Sequence, residues 1–504
     1  MRIAIITTLA SGGATNGALR ITRALIDYGH VCSFFILEPS GNSFFIPLLD
    51  NDDSFWIPAL FKRWSALTTP EILTAAATDL FSDNTTVPNI PSFIHEDIIN
   101  ADIILFRWVA GIIFSPSLLS AISGKNIVWV LPDTYAFTGG CHYTGDCCSF
   151  QTECRNCYLL NKPGYNDASA KCFHLKEQIY PLLNPTFITP STWLADKAKN
   201  STLLKTYPIT TIPHPLDITT FKPPQNRSDL RKKLDLPDDV FIIMSGCEHL
   251  DNQRKNIKMF YEALTILYEQ SPELPIIIML YGHGQSPELA FPVQHFGYIE
   301  NETRMAELYG AADLFIHTAL QEAFGLTLCE AQACGTPTLC FAVGGCPETM
   351  IPGETGFVVA ETTSQALAEK LRSIIDDRDS LCSMRQASRA FAEKRFNPHT
   401  IAATYTKIFQ KTLVAPGLKI NNPLYAELTQ NQIASLASFL YGTEQEQNLL
   451  KQKHNSLIKE HNALREEFNI LRWNLQHPLR WFFGNLYLKF IKRYINTSKC
   501  QNTH

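Results

Sequence analysis

The chain opens on RIAIITT, an apolar run of strand-forming residues, then ALRITRALIDYGH, whose apolar positions recur at helical spacing, then a second apolar run, VCSFFIL. Strand-like runs and helical patterns go on alternating. ADIILFRW, KNIVWVLPD and PTFITPS follow in the first half. The second half brings FIIMSG, the helix KNIKMFYEALTILYEQ, LPIIIMLYG, QHFGYI, the helix TRMAELYGAA and the strand DLFIHTA. Such alternation predicts an α/β protein whose parallel sheets are covered on both faces by helices. The two halves meet near TTIPHPLDITTFKPP, where prolines break the periodicity and suggest an interdomain linker. We therefore expect α/β domains at 1–210 and 211–395. Residues 364–412 read as helical with FNPHT interrupting them, and 396–412 are expected to cross back to the first domain.

The pattern weakens over 413–442, read as a linker, and changes to a polar helix over 443–477. Leu450, Leu457, Leu464 and Leu471 recur there every seven residues. That spacing suits a coiled coil and a homo-oligomer, or a single long helix folded against the enzyme. After Pro478 no acidic residue occurs, while Arg480, Lys489, Lys492, Arg493 and Lys499 accompany Trp481, Phe482 and Phe483. This tail suits an interfacial segment at an anionic membrane, or aromatics packed back onto the enzyme.

Composition narrows the class. The 504 residues are 45% hydrophobic and 18% charged, as in a soluble protein with more than one core. A net charge of only −5 provides no global field for nucleic acid or membranes, so any basic surface is local. The first residues lack the apolar core and cleavage site of a secretory signal, and no stretch reaches the roughly 18 uncharged apolar residues of a membrane span. The expectation is a cytoplasmic protein whose 14 cysteines are reduced thiols or metal ligands. Cys329, Cys334 and Cys340 sit in apolar runs and read as small core residues.

The chemistry gathers around EAFGLTLCE at 322–330. Glu322 falls in a loop after the strand DLFIHTA, and Glu330 about two turns into the helix LTLCEAQAC, which Gly335 and Pro337 close. Ligands of open α/β sheets bind at such strand ends, and the amides of Phe324, Gly325 and Leu326 offer an anion site at the helix start. A diphosphate there would lie between the two carboxylates. The bland alternative is a helix cap and a surface acid.

QEAFGLTLCEAQACGTPTLCFAVGGCPE resembles the donor-binding segment of retaining glycosyltransferases of family four, marked by two glutamates with seven residues between them. FITPSTWLADKAKNS with TTIPHPLDITTFKP, HFGYIENETRMAELYGAADLFIHTALQEAFG and ASGGATNGALRITRALIDYGH resemble further segments of that family in the same order. WVLPDTYAFTGGCHYTGDC resembles a subgroup associated with bacterial exopolysaccharide and lipopolysaccharide assembly. The resemblance covers roughly 1–410 and implies a GT-B architecture: two Rossmann-like domains facing a cleft, with a helical C-terminal tail beyond them. It implies transfer of a sugar with retention, from a nucleotide-diphosphate sugar to a glycan or lipid-linked acceptor, without a catalytic metal or other catalytic cofactor.

In that picture Glu322 contacts the transferred sugar, Glu330 the ribose, and backbone at Gly297 and Tyr298 the base. Arg254 and Lys255 grip the diphosphate, whose developing charge needs cations. Many relatives carry a further arginine where this chain has Glu248 and His249, and Arg254 stands in for it. Gly12 and Gly13 let backbone approach the sugar or phosphate closely. Where relatives read histidine–aspartate, this chain reads Pro132-Asp133, so no catalytic histidine carries over and Asp133 is left to orient the acceptor. Cys141, Cys147, Cys154 and Cys157 match the subgroup's cysteines and offer four thiolates to a structural zinc, with disulfides or independent thiols as alternatives. A nucleotide-sugar epimerase, a glycoside phosphorylase and a non-catalytic scaffold are the rival functions. A phosphorylase would show a cofactor lysine motif, which is not found. No nucleic-acid partner is expected, and localisation is expected to be cytoplasmic, peripheral at the inner face of the membrane.

Overall fold

The computed structural model describes residues 1–8, 12–37, 45–47, 80–82, 95–110, 112–113 and 116–414. The linker 415–442, the heptad segment 443–477, the tail 478–504 and most of the stretch 40–100 lie outside the described residues.

Two parallel sheets carry the chain. The first comprises β1 (Arg2–Thr7), β2 (Val31–Ile36), β3 (Ile46–Pro47), β4 (Ile103–Phe106), β5 (Asn126–Val130), β6 (Thr186–Thr189) and β7 (Ile209–Thr211), in the order β3-β2-β1-β4-β5-β6-β7. The second comprises β8 (Phe241–His249), β9 (Ile276–His283), β10 (Val293–His295), β11 (Leu314–His317), β12 (Thr338–Phe341) and β13 (Gly356–Val359), in the order β10-β9-β8-β11-β12-β13. Central strands such as β4, β11 and β12 are buried at every position, because helices cover both faces. The edge strands β7 and β10 are only partly buried. These are the two Rossmann-like sheets that the sequence led us to expect.

Each sheet reverses its strand order once, between β1 and β4 in the first and between β8 and β11 in the second. Crevices at the carboxyl ends of such strands are where this class of sheet takes ligands. The helices that matter below are α1 (Gly13–Asp27), α2 (Thr192–Asn200), α3 (Ile257–Gln270), α4 (Glu302–Ala311), α5 (Leu326–Ala333) and α6 (Pro398–Val414). Ile401, Ala402, Tyr405 and Phe409 of α6 share one core with Ile3, Ile5, Ile21 and Leu25, so α6 packs on the first sheet's side.

Several boundaries differ from the sequence reading. QHFGYI shortens to Val293–His295, and α3 starts at Ile257 rather than Lys255. TLCF and GFVV form β12 and β13, which the pattern did not single out. Both runs are only four residues long, too short for periodicity to separate strand from loop. Among the described residues no helix is long and apolar enough to cross a membrane.

Candidate active site

Glu322 is the centre of the second sheet's crevice. It follows β11 by five residues, in a loop pinned by its neighbours. Gly345 donates its amide to the Glu322 carbonyl at 3.1 Å. Gly344 has φ +57, and a Cβ there would stand 1.8 Å from that same carbonyl, so only glycine lets the two backbones meet. Arg254 and Lys255 sit in the turn between β8 and α3. There the Asn252 side chain accepts both their amides, at 3.1 and 3.2 Å. Two bonds stitch this turn to the Glu322 loop: the Leu320 amide to the Arg254 carbonyl at 2.8 Å, and the Thr318 hydroxyl to the Lys255 carbonyl at 3.2 Å.

The side chains then converge. Lys255 Nζ lies 2.5 Å from Glu322 Oε2, Arg254 Nη1 3.7 Å and His317 Nε2 3.5 Å. The last two are ion-pair distances too long for good hydrogen bonds. Burial alone would raise the Glu322 pKa, but Lys255 first, then His317 and Arg254, hold it well below the ordinary value. This buried carboxylate, favoured in its ionised form, lies four residues before the start of α5. Gly325 caps that helix with φ +99, and among the described residues no side chain caps its first amides, so they stay available to an anion.

Opposing shifts at this pair set a pH dependence. The depressed Glu322 value gives stability that is full above the ordinary 4.5 and lost as pH falls through the folded value. At His317 burial is outweighed by Cys346 and Glu322, which raise its pKa above 6.5. Its contribution is full below 6.5 and lost as pH rises through the folded value. In a series of denaturant titrations against pH, His317→Asn is expected to flatten the alkaline arm and to reduce the acid arm only in part, since Lys255 and Arg254 still depress Glu322; an unchanged alkaline arm would exclude His317.

Glu330, in the second turn of α5, is already engaged. Arg20 Nη2 of α1 donates to its Oε1 at 2.7 Å, and the Tyr309 hydroxyl to its Oε2 at 3.1 Å. Arg20 also pairs with Glu302 at 2.9 Å. Burial would lower the Arg20 pKa, but Glu330 and then Glu302 carry it above the usual value. A ribose could take Glu330 only by sharing it or by displacing one of these partners. Of the remaining expected contacts, Phe324 buries its ring edge-on to His214. Tyr298 stacks on His283 with ring centroids 4.5 Å apart, next to Gly297.

From the first domain, the 133–146 loop reaches the same place. Asp133 accepts the Tyr135 amide at 2.8 Å and pairs with His142 Nδ1 at 2.9 Å. His142 is stacked between Trp108 and Tyr135 and bonded through Nε2 to Ser82, so it holds Asp133 in place. This histidine lies nine residues after Asp133 in sequence. Tyr143 lies under the Arg254 guanidinium, 4.8 Å away. At Gly12 and Gly13 no described atom would stand within 4 Å of an added Cβ.

The zinc expectation is corrected. Among the described residues no three His, Cys, Asp or Glu side chains converge to hold a metal ion, and Cys141, Cys147, Cys154 and Cys157 are all described. Three of these sulfurs have other neighbours. Cys154 accepts the Gly139 amide at 3.1 Å, while Cys141 and Cys157 pack against Phe81, Leu159 and Leu160. Burial, and after it the neighbouring cysteines, push the Cys141 thiol up to about 12 and raise Cys154 as well.

Sequence reading did not single out Arg20, Tyr143, His317 or Gly344. His317 was the most accessible of these, as the last residue of a strand entering the site loop. The glycine pair in FAVGGCPE was a second signal.

A family model described as glycosyl transferases group 1 matches residues 226–391, which include Arg254, Lys255, Tyr298, Glu322 and Glu330. The lipopolysaccharide core biosynthesis mannosyltransferase LpsB of Rhizobium meliloti is 28% identical over 222 residues, 40% of this chain and 62% of that protein. The chain spans about half the length of the curated relatives it matches, from 42% to 62% for the first three. Sucrose-phosphate synthase from Thermosynechococcus elongatus superposes with a TM-score of 0.57 at 19% identity, over 82% of this chain and 99% of that one. The Anabaena protein HepE in complex with UDP and glucose gives 0.55 at 17%, over 82% and 100%. At these identities the structural likeness concerns the fold. The chain carries a glycosyl transferases group 1 domain over residues 226–391, set in a GT-B fold of two Rossmann-like domains.

Proposed function

We propose that the protein is a retaining glycosyltransferase. It moves a sugar from a nucleotide-diphosphate sugar to a glycan or lipid-linked acceptor of cell-surface polysaccharide synthesis, with chemistry that needs no metal at the phosphates. The observation that carries this reading is the buried Glu322 carboxylate, flanked by Lys255 and Arg254 and followed four residues later by the uncapped start of α5. A sugar diphosphate laid there would present its sugar hydroxyls to Glu322 and its phosphates to the two cations and the helix amides. Glu330 would meet the ribose and the Gly297–Tyr298 segment the base, with Asp133 orienting the acceptor hydroxyl from the opposite domain.

Transfer then needs no protein nucleophile. The bond from the anomeric carbon to the phosphate oxygen breaks, its electron pair staying with the phosphate. The acceptor oxygen bonds the same face of that carbon, and its proton passes to the departing phosphate. Lys255 and Arg254 offset the charge that builds there. Incubation with candidate nucleotide sugars and acceptors should release nucleoside diphosphate with a matching donor and yield a product of unchanged anomeric configuration by NMR. An inverted product would sink the retaining assignment, and absence of release with every donor would sink the transferase reading.

We also propose that residues 478–504 hold the enzyme at the inner face of an anionic membrane. Each basic residue near such a surface adds about 1 kcal/mol. Sedimentation with anionic vesicles should fall when 478–504 are removed and when salt is raised. Equal binding by full-length and truncated protein would leave the tail no membrane role.

A further inference from the structure

The first sheet has a crevice of its own, at the reversal between β1 and β4. There α1 follows β1, and Arg107 is the first residue after β4. Arg107 is 1% exposed and has no ion-pair partner among the described residues; the Asp133 charge acts on it only from longer range. Its Nη2 makes one long contact, 3.4 Å to the Ala14 carbonyl in the first turn of α1, while Nε and Nη1 have no partner. A desolvated guanidinium without counter-charge is strongly disfavoured. Burial accordingly lowers its pKa to about 10.

Other unpartnered donors gather beside it. A Cβ placed on Gly17 would stand 3.0 Å from Arg107 Nη2 and 3.4 Å from His214 Nδ1, so the linker histidine and the arginine meet over the bare face of α1. His214 Nδ1, the Tyr405 hydroxyl and two nitrogens of Arg20, Nε and Nη1, are likewise buried without a hydrogen bond. His214, Tyr405 and Arg20 are each more than nine-tenths buried. Burial and then the charges of Arg107 and Arg20 hold His214 neutral, which places all three side chains within reach of one another's fields. Four separate parts of the chain thus bring polar groups together, two of them cationic, and Nε and Nη1 of both arginines are left there without an acceptor among the described residues.

We propose that this crevice is a second anion site, taking a phosphoryl group that is not the donor's diphosphate. Two arginines can hold such a group by paired N–H bonds, and a phosphoryl group has enough oxygens to satisfy several donors at once, where a single carbonyl does not. Its cations belong to the first domain, apart from Arg254 and Lys255. A phosphate carried by the acceptor and free phosphate share this chemistry.

Inorganic phosphate is the probe, titrated into the full-length protein by calorimetry against sodium chloride of equal ionic strength, with and without saturating UDP. We expect saturable binding that UDP leaves in place. Arg107→Gln should weaken it at least tenfold. Because a buried arginine variant can fail to fold, Gly17→Ala is the second probe. It keeps every charge and presses one methyl group against Arg107 and His214, and it should weaken phosphate at least tenfold while circular dichroism stays unchanged. Absence of saturable binding, binding unaltered in Gly17→Ala, or full displacement by UDP would each overturn the proposal. Phosphate binding in a protein that takes neither UDP nor any other nucleoside diphosphate would uphold the crevice and count against the donor site. A phosphorylated acceptor analogue that competes with phosphate identifies the acceptor as the source, and one that does not leaves free phosphate as the ligand.

Discussion

Lys255→Ala is expected to slow sugar transfer by on the order of a hundredfold or more, the usual cost of removing a fixed donor from a site of developing charge. Lys255 Nζ, 2.5 Å from Glu322 Oε2, stands at the carboxylate that the transferred sugar would address. Its loss acts twice: the departing phosphate loses a cation, and Glu322 keeps only His317 and Arg254 at 3.5 and 3.7 Å. The signature is a fall in kcat with nucleotide affinity changed far less, because the cation matters most as charge builds. Steady-state kinetics with a nucleotide titration separates the two. A variant with normal kcat would remove Lys255 from the chemistry, and Arg254→Ala inactive beside it would reverse their roles.

Glu330→Ala should be the more damaging change to the fold. Removing one member of a buried ion pair leaves the other charge desolvated, at a cost of about 3–5 kcal/mol. Arg20, almost wholly buried, keeps only Glu302 as an ion-pair partner. That remaining pair puts the expected loss toward the lower figure. Nucleotide affinity should also fall, by about 1.5–3 kcal/mol for a lost charged acceptor. A double-mutant cycle distinguishes the two roles. Arg20→Ala with Glu330→Ala should be less destabilised than the sum of the single changes, because the second removal eliminates the stranded charge. Nucleotide affinity should not recover in the double variant. Additive stability losses would mean that the pair is not coupled across the cleft, and unchanged affinity would take Glu330 out of the nucleotide site.

The sequence alone determined the alternation of strands and helices, the parallel two-sheet class and the placing of EAFGLTLCE at a strand end. These are legible because apolar period, glycine and proline act within a few residues of chain. Gly335 closing α5 with φ +74 is such a local event. Arg254 and Lys255 could likewise be read as cations near the second domain's first strand.

Tertiary structure decided which groups these residues meet. Arg20 reaches Glu330 across 310 residues, His142 meets the Asp133 carboxylate, and His317 joins Lys255 on one carboxylate oxygen. The same packing set Cys141 and Cys157, both partly buried, beside Phe81, and left two guanidinium nitrogens of Arg107 without a hydrogen bond. No local periodicity encodes such meetings. They follow from which distant surfaces are desolvated together, since burial fixes what each charge must pair with and only the assembled sheets set what is within reach.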